Sequence, residues 1–235
     1  MENNLLPCQP LKPVETEIDR LALACANAIY QGDAAKLSEI FQQGLPLEQV
    51  EKFQFHAEDS QAPAEHGLAA LAIRRNQADC LAVLLDNGLS PDHVYSWYMV
   101  DLFILEIAIM YESWECFVLL LDRGADPDIS SSDSKGAFMQ ALATRDKRFL
   151  NRLRQSNSRV DEHARRLVAF GRVAEIRSLL EAGYSRFKIF RYNLFKRNKE
   201  ITKELSSSFP LGINPLWVAV LVVGVSAGLI YWFTR

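Results

Sequence analysis

The stretch Leu105–Asp128, LEIAIMYESWECFVLLLDRGADPD, decides the fold of this chain. Apolar residues at helical spacing predict two short helices, the second with Phe117, Leu120 and Leu121 on one face. Gly124 follows at the position where a helix needs a left-handed residue, and only glycine adopts a positive φ without a Cβ penalty. Because a unit this short cannot bury its apolar face alone, we expect it to be one member of a stack.

The same spacing recurs when other segments are aligned on their glycines. In the quoted stretch, Ala108 lies sixteen residues before Gly124, and Phe117 lies seven residues before it. Alignment on Gly44, Gly88, Asn157 and Gly183 places apolar residues at matching positions: Ala28, Leu37, Ile40 and Phe41; Ala72, Leu81, Leu84 and Leu85; Ala141, Leu150 and Leu153; Leu167, Ile176, Leu179 and Leu180. The sequence therefore predicts an all-α solenoid of about five helix pairs over residues 17–183.

This pattern resembles the ankyrin repeat, in which an alanine in the first helix and paired leucines ending the second precede Gly-Ala-Asp. The resemblance is clearest in GADPD at Gly124–Asp128 and in GLSPD at Gly88–Asp92. The Thr-Pro-Leu-His opening of the family is missing, since the matching positions read GLAA at Gly67–Ala70 and FILE at Phe103–Glu106. The hydrogen bonds of that motif are therefore absent or replaced. The resemblance implies a degenerate ankyrin-like domain that recognises a protein with its fingers and concave face.

The intervals between the aligned residues are uneven. The interval from Gly44 to Gly88 is 44 residues, against a family period of about 33 residues, which indicates an insertion at Leu45–His66. The last interval is 26 residues, which indicates a missing finger. Residues 1–16 show no periodicity and contain several prolines, so we expect a flexible N-terminal arm.

Charge is distributed unevenly, although the formal net charge is only −3. Residues 76–133 contain eleven acidic residues and one basic residue, whereas residues 134–204 contain eighteen basic and seven acidic residues. This asymmetry indicates that the two halves meet different partners. The four cysteines form no C-x-x-C pair, and Cys25, Cys80 and Cys116 lie at repeat positions expected for small buried residues. Reduced cysteines suit a cytosolic domain.

The finger between the second and third helix pairs has the sequence HVYSWYMV at His93–Val100. Its aromatic residues alternate with smaller ones, which predicts a β-hairpin arm. These rings either anchor a protein partner or cover the apolar surface of the next helix pair. Aspartates on the neighbouring fingers favour a partner with a basic surface. The candidate partner-binding residues are Asp92, Tyr95, Trp97, Tyr98, Asp101, Asp126, Asp128 and Asp133.

An apolar segment without charge lies near the end of the sequence. Leu216–Phe233 contains 18 apolar or small residues, about 27 Å as a helix and long enough for a bilayer core. We therefore expect residues 215–234 to form a single-pass, tail-anchored transmembrane helix, with aromatic residues at both interfaces. Gly224 and Gly228 form a G-x-x-x-G motif, which allows a homodimer through the span.

Residues 184–214 interleave basic and aromatic residues, and we expect a juxtamembrane segment that contacts anionic lipid. Its position next to the span favours lipid over nucleic acid. The candidate lipid-contact residues are Arg186, Lys188, Arg191, Lys196, Arg197, Lys199, Trp217, Tyr231 and Trp232. Because basic residues precede the span, the repeat domain is expected on the cytoplasmic side, in a bacterial inner membrane.

No catalytic, metal or cofactor motif is visible in the sequence, and we expect neither an enzyme nor a cofactor. The predicted function is a membrane-tethered protein–protein interaction module: a scaffold, an inhibitor or an immunity-type protein. The alternative is a membrane-active component in which the juxtamembrane segment and the span act on lipid while the repeats regulate. Deletion of residues 184–235 would distinguish these two functions. An interaction module would still capture its partner without them, whereas a membrane-active component would lose its activity.

Overall fold

The helices of this chain occur as consecutive pairs, each joined by a tight turn. The computed structural model describes residues 8–10, 14, 16–51, 54–57, 65–97, 100–131, 135–144, 146–156 and 158–207. The pairs formed by these residues are α1 (Glu17–Gln31) and α2 (Ala34–Gln42), followed by the one-turn helix α3 (Leu47–Val50); α4 (Leu68–Arg74) and α5 (Ala78–Asp86); α6 (Ile104–Met110) and α7 (Trp114–Asp122); α8 (Gly136–Ala143) and α9 (Lys147–Gln155); α10 (Val160–Ala169) and α11 (Val173–Glu181); and α12 (Arg186–Lys196) and α13 (Lys199–Ser207).

The chain divides into two compact units. The first unit extends to Ser158 and contains the pairs from α1 to α9, and the second begins at Arg159 and contains α10 to α13. In the first unit, α1, α4, α6 and α8 contact one another in succession, as do α2, α5, α7 and α9. In the second unit, α10 packs against α12, and α11 packs against α13. Each unit is therefore two layers of stacked helices, which is the arrangement of an ankyrin-like repeat fold.

The aligned glycines have the backbone conformation predicted for them. Each follows the second helix of its pair, with φ between 80° and 100°: Gly44, Gly88, Gly124 and Gly183. The aligned alanines of the first helices are no more than 1% exposed: Ala28, Ala72, Ala108 and Ala141. A small side chain here lets the first helices of neighbouring pairs approach closely. The repeat register is thus confirmed at these glycines, while Asn157 lies outside the described residues.

A second left-handed residue closes the turn inside four of the pairs. It lies twelve residues before the register glycine and has φ of 74°, 52°, 54° and 66° at Gly32, Asn76, Glu112 and Gly171. The next residue donates its N–H to the carbonyl of the aligned first-helix residue, over 2.8–2.9 Å: Asp33 to Ala28, Gln77 to Ala72, Ser113 to Ala108 and Arg172 to Leu167. One backbone bond therefore fixes the angle between the two helices in each of these pairs.

Short strands accompany the helices, so the expectation of an all-α chain is incomplete. Strands β1 (Cys8–Pro10), β2 (Gln54–Ala57) and β3 (Glu65–His66) form a three-stranded antiparallel sheet in the order β1-β2-β3. Strands β4 (Val94–Trp97) and β5 (Val100–Phe103) form the hairpin that the alternation predicted. Part of the expected N-terminal arm is therefore ordered: Cys8 is buried, and its N–H donates to Asn27 Oδ1 at 3.1 Å.

Helix pairing continues beyond residue 183, where the sequence analysis ended the repeat domain. The pair α12 and α13 buries Ile189, Ile201 and Leu205, each at most 1% exposed. The buried Asn193 closes the turn between them, because its side chain donates to the Asn198 carbonyl at 3.0 Å and accepts from the Asn198 N–H at 3.0 Å. Residues 186–207 thus form a further helix pair after the predicted end of the repeat domain. The sequence analysis missed this pair because it has no register glycine. Its turn is closed by an asparagine network instead.

In the part of the chain that the structure describes, no helix combines the length and the apolar character needed to cross a bilayer. The last two described helices, α12 and α13, have 11 and 9 residues, whereas a span takes about 20 residues. The expected transmembrane helix at residues 215–234, including Trp217, Gly224, Gly228, Tyr231 and Trp232, lies outside the described residues.

Candidate interaction surface

Two buried glutamates replace the missing hydrogen bonds of the Thr-Pro-Leu-His opening. Glu51, 6% exposed, accepts from the N–H groups of Leu68 at 3.1 Å and Ala69 at 3.2 Å, at the start of α4. Glu106, fully buried, accepts from the N–H of Phe103 at 3.1 Å, at the start of α6. Both carboxylates satisfy N–H groups where the helix dipole favours a negative charge. The sequence analysis predicted that the motif is absent or replaced, but it did not find the replacements.

The aspartates of the fingers join one finger loop to the next. Asp92 Oδ1 accepts from the N–H of Asp126 at 2.8 Å, and Asp126 Oδ1 accepts from the N–H of Asp128 at 2.9 Å. Asp128 Oδ1 then accepts from the Ser158 hydroxyl at 2.9 Å. These predicted partner-binding residues therefore have a structural role, because their carboxylates fix the spacing of successive fingers.

The β4–β5 hairpin is tied across its strands and to the following loop. The Ser96 hydroxyl donates to Asp101 Oδ1 at 2.6 Å, and the Asp101 carbonyl accepts from the Ser131 hydroxyl at 2.9 Å. Among the described side chains of the hairpin, the exposed apolar ones are Val94 and Val100, at 42% and 36%, which the sequence analysis did not select. The hairpin thus presents two valines beside a hydrogen-bonded aspartate.

Tyr95 points inward and is only 9% exposed, whereas its neighbours Val94 and Ser96 are exposed. The alternation of the strand explains the difference, since Val94 and Ser96 take the exposed face and Tyr95 takes the other. Trp97 ends β4, while Tyr98 and Asp133 lie outside the described residues. The burial of Tyr95 suits the alternative in which the finger covers apolar surface, and a partner-binding role for this residue stays a prediction.

A cleft of about 600 Å³ lies between the insertion and this finger. One wall consists of α3 and Glu51 at its C-terminal end. The second is Gly67, just before α4, and the third is the finger that leads from Gly88 into β4. The lining residues are Leu47, Glu48, Glu51, Gly67, Gly88, Leu89, Ser90, His93, Val94, Tyr95 and Ser96. Apolar and polar groups therefore converge in one concave site, which is typical of a binding pocket.

Gly67 allows two side chains of this cleft to meet. A Cβ at this position would lie 2.4 Å from the Tyr95 hydroxyl and 2.6 Å from Glu51 Oε1. Any other residue would displace both groups, and φ here is +85°. The Tyr95 hydroxyl is buried and has no hydrogen-bond partner among the described residues. It is therefore an unused polar group beside a buried carboxylate.

Burial controls the ionisation of the cleft. It raises the pKa of Glu51 to about 8, even though the N–H groups of Ala69 and Leu68 act in the opposite direction. Burial also lowers the pKa of His93, whose ring meets the Tyr95 ring edge-on with centroids 4.7 Å apart. At neutral pH the histidine is therefore uncharged, and the carboxyl of Glu51 is largely protonated.

Side chains also connect the second helices of the first unit. Arg123 pairs with Asp86 at 2.6 Å, and Arg152 pairs with Asp122 at 2.5 Å. Each ion pair joins the end of the second helix of one helix pair to the second helix of the following helix pair. Exposed ion pairs of this kind contribute about 0–1 kcal/mol each to stability. They therefore affect the arrangement of the second helices more than the stability of the fold.

The basic residues predicted to contact lipid lie largely on the exposed part of the α12–α13 pair. Exposed residues of α12 include Phe187 at 50%, Leu194 at 44% and Arg191 between them. Lys188 pairs with Asp161 at 2.8 Å, and the Tyr184 hydroxyl donates to the same carboxylate at 2.5 Å. Lys196 and Arg197 end α12, and Lys199 begins α13. Lys188 is therefore tied to α10, and Phe187, Arg191 and Leu194 form the outward face of α12.

No group of three or more potential metal-ligating side chains occurs within the described residues. The buried cysteines are reduced: Cys8 in β1, and Cys25, Cys80 and Cys116 in the helix layers. Burial raises the pKa of the Cys25 thiol to about 12 and that of the Cys80 thiol to about 11, which keeps both in the neutral form. These thiols act as small core residues.

Helix pairs, left-handed register glycines and finger loops joined across repeats together form an ankyrin-like repeat fold. The structure is similar to the ankyrin repeat domain of human ASB11, with a TM-score of 0.46 and 18% identity, over 82% of this chain and 83% of that one. It is also similar to the ankyrin repeat domain of Bcl-3, with a TM-score of 0.42 and 19% identity, over 74% of this chain and 89% of that one. No protein-family model and no curated protein matches the sequence.

Proposed function

We propose that this chain is a membrane-tethered protein–protein interaction module that binds a protein partner through its fingers. The observation that carries the proposal is the hydrogen-bonded series from Asp92 through Asp126 and Asp128 to Ser158. It holds successive finger loops at fixed spacing, and a surface ordered before binding loses less entropy when a partner docks. The proposal assigns no catalytic step to the chain.

The fingers suit a partner that is basic with an apolar patch. Residues 76–133 have a large excess of acidic residues, and the hairpin adds the exposed Val94 and Val100. Complementary charge steers the approach and selects the partner, while buried apolar contacts supply affinity. A scaffold, an inhibitor and an immunity-type protein would each use such a surface.

Tethering is proposed from the sequence of Leu216–Phe233, whose length and apolar composition suit a bilayer core. The outward face of α12, with Phe187, Arg191 and Leu194, would lie at the membrane interface: arginine binds anionic headgroups and the apolar side chains enter the boundary region. Basic residues before the proposed span favour a cytoplasmic location for the repeats, and we propose a bacterial inner membrane. The tether raises the local concentration of the module near a membrane-bound partner.

The α12 face also favours the second candidate function, a membrane-active component. In that case residues 184–235 act on lipid directly and the repeats regulate them. The test is leakage of a dye from vesicles of phosphatidylglycerol and phosphatidylcholine on addition of the full chain. Release that falls with Phe187→Ser plus Leu194→Ser would favour the second function. Binding without release would favour the tether.

Partner capture tests the first function. Full-length chain in native membranes is crosslinked and purified, and the captured protein is quantified for wild type and for Val94→Ser plus Val100→Ser. We expect at least a tenfold loss in the double variant, because both valines are buried on binding. Met110→Ser is the matched control, since Met110 is 42% exposed, like Val94, but lies at the end of α6. Equal capture by both variants would contradict a hairpin-centred interface.

A further inference from the structure

Two acidic residues lie in the wall of the cleft between α3 and the finger. Glu48 and Glu51 belong to the lining, which contains no lysine or arginine among the described residues. Leu47, Leu89 and Val94 supply an apolar surface in the same cleft. Apolar surface beside carboxylates matches a long side chain that ends in a cation.

We propose that this cleft binds a lysine or arginine side chain of the protein partner. The aliphatic stem lies against Leu47, Leu89 and Val94, and the charged head meets the carboxylates of Glu48 and Glu51. The proposal rests on the proposed function, because the side chain belongs to the protein that the fingers bind. It identifies one contact of that interface and its chemistry.

The buried groups around Glu51 favour a cation over an anion or an apolar occupant. A Cβ placed on Gly67 would lie 2.4 Å from the Tyr95 hydroxyl and 2.6 Å from Glu51 Oε1, so these two oxygens are at most about 5 Å apart. The hydroxyl has no hydrogen-bond partner within the described residues. It provides a second acceptor beside the carboxylate, and a donor-rich ammonium or guanidinium needs several acceptors. An anion would face two carboxylates and would be repelled.

Binding of a cation here is coupled to a proton. Burial holds the pKa of Glu51 near 8 in the free protein, and a nearby positive charge favours the ionised carboxylate. The other titratable groups that face Glu51 are Glu48 on α3, Cys25 on α1, and His93 and Tyr95 at β4. The Cys25 thiol stays neutral because burial raises its pKa, and burial lowers the pKa of His93 so that it loses its charge below neutral pH. Affinity for a cation therefore rises with pH through about 8.

The test titrates the full chain, held in phosphatidylcholine nanodiscs, with Nα-acetyl-lysine amide. Binding is followed by the methyl NMR signals of leucine and valine, and Nα-acetyl-norleucine amide is the uncharged control. We expect binding of the lysine compound only, about tenfold tighter at pH 8.5 than at pH 6.5, because the ionised fraction of Glu51 increases at least that much. Shifts confined to Leu47, Leu89 and Val94 place the compound in the cleft.

Variants separate a charge effect from a folding effect. Glu48→Gln removes an exposed carboxylate and leaves the buried network in place, so it should weaken binding several-fold with unchanged melting temperature. Glu51→Gln should abolish the pH dependence, and Glu39→Gln, on the exposed side of α2, should change nothing. Equal binding of both compounds, a pH-independent affinity or no binding would overturn the proposal. Partner capture that fails while the lysine compound binds would refute the proposed function instead.

Discussion

Single residues in this chain perform tasks that a family motif usually performs. Glu51 reaches across from α3 to satisfy N–H groups of Leu68 and Ala69 at the start of α4, and Glu106 satisfies the N–H of Phe103 at the start of α6. The sequence analysis detected the loss of the motif but not its replacements. Glu51 lies seventeen residues from Leu68, and no local pattern connects residues that far apart.

Gly67 gives the sharpest test at the residue scale. Gly67→Ala should lower the free energy of unfolding by about 2–4 kcal/mol, because it adds left-handed strain and overpacking against Tyr95 and Glu51. Gly88→Ala is the control, since φ is +100° but a Cβ would meet nothing within 4 Å. That control should cost only about 1 kcal/mol. Urea denaturation measures both, and equal losses would argue against the close approach at Gly67.

Glu112 holds a left-handed turn without being glycine. Three other pairs use glycine or asparagine at this position: Gly32, Asn76 and Gly171. Glu112→Gly should raise the free energy of unfolding by about 0.5–1 kcal/mol, as removed strain outweighs the greater freedom of the unfolded chain. Differential scanning calorimetry checks this as an increase of about 1–4 °C in Tm. A lower Tm would show that the glutamate side chain stabilises the turn.

Glu51 should make stability depend on pH. Its pKa is about 8 in the folded protein, above the ordinary value of 4.5, so the protonated carboxyl contributes stability that is lost as pH rises through 8. Between pH 6 and 9 we expect the free energy of unfolding to fall by on the order of 2 kcal/mol. Carboxyls with a lowered pKa, such as Asp161, titrate below this range. The free energy of unfolding of Glu51→Gln should show no such fall. A fall equal to that of wild type would mean that another group causes the pH dependence.

At the scale of elements, periodicity located helices better than it located strands. The glycines at 44, 88, 124 and 183 and the aligned alanines marked helix pairs because their spacing is local. Strand β1 pairs with β2, so that Cys8 faces Ala57, and a three-residue strand with such a distant partner leaves no local pattern. The β4–β5 hairpin was predicted because its strands are adjacent, but the side of the strand that faces the core was not.

The sequence analysis interpreted α12 and α13 as part of a juxtamembrane segment, because their basic residues are more apparent in the sequence than the short apolar face of the pair. Ile189→Ala should lower the free energy of unfolding of the second unit by about 2–4 kcal/mol, since this side chain is fully buried. Leu194→Ala, at 44% exposure, is the control and should change it by no more than about 0.5 kcal/mol. Hydrogen exchange of the α12 and α13 amides in the full chain measures the change in stability for both variants. Unprotected amides in wild type would contradict a folded pair.

At the scale of the whole molecule, charge and apolar segments follow the order of the chain. Acidic fingers come first, a basic stretch follows, and an uncharged apolar stretch comes last. The sequence alone revealed this order. It did not reveal the cleft, because Glu51, Gly67 and Tyr95 belong to different elements and meet only in the folded chain.

Membrane flotation tests the central claim most directly. Full-length chain is reconstituted into vesicles containing phosphatidylglycerol, washed with alkaline carbonate and centrifuged through a density gradient. The account predicts that the chain floats with the vesicles after the wash, and that Leu221→Arg plus Val225→Arg, which places two charges in the apolar stretch, releases it. A wild-type chain that stays at the bottom of the gradient after the wash would contradict the tether.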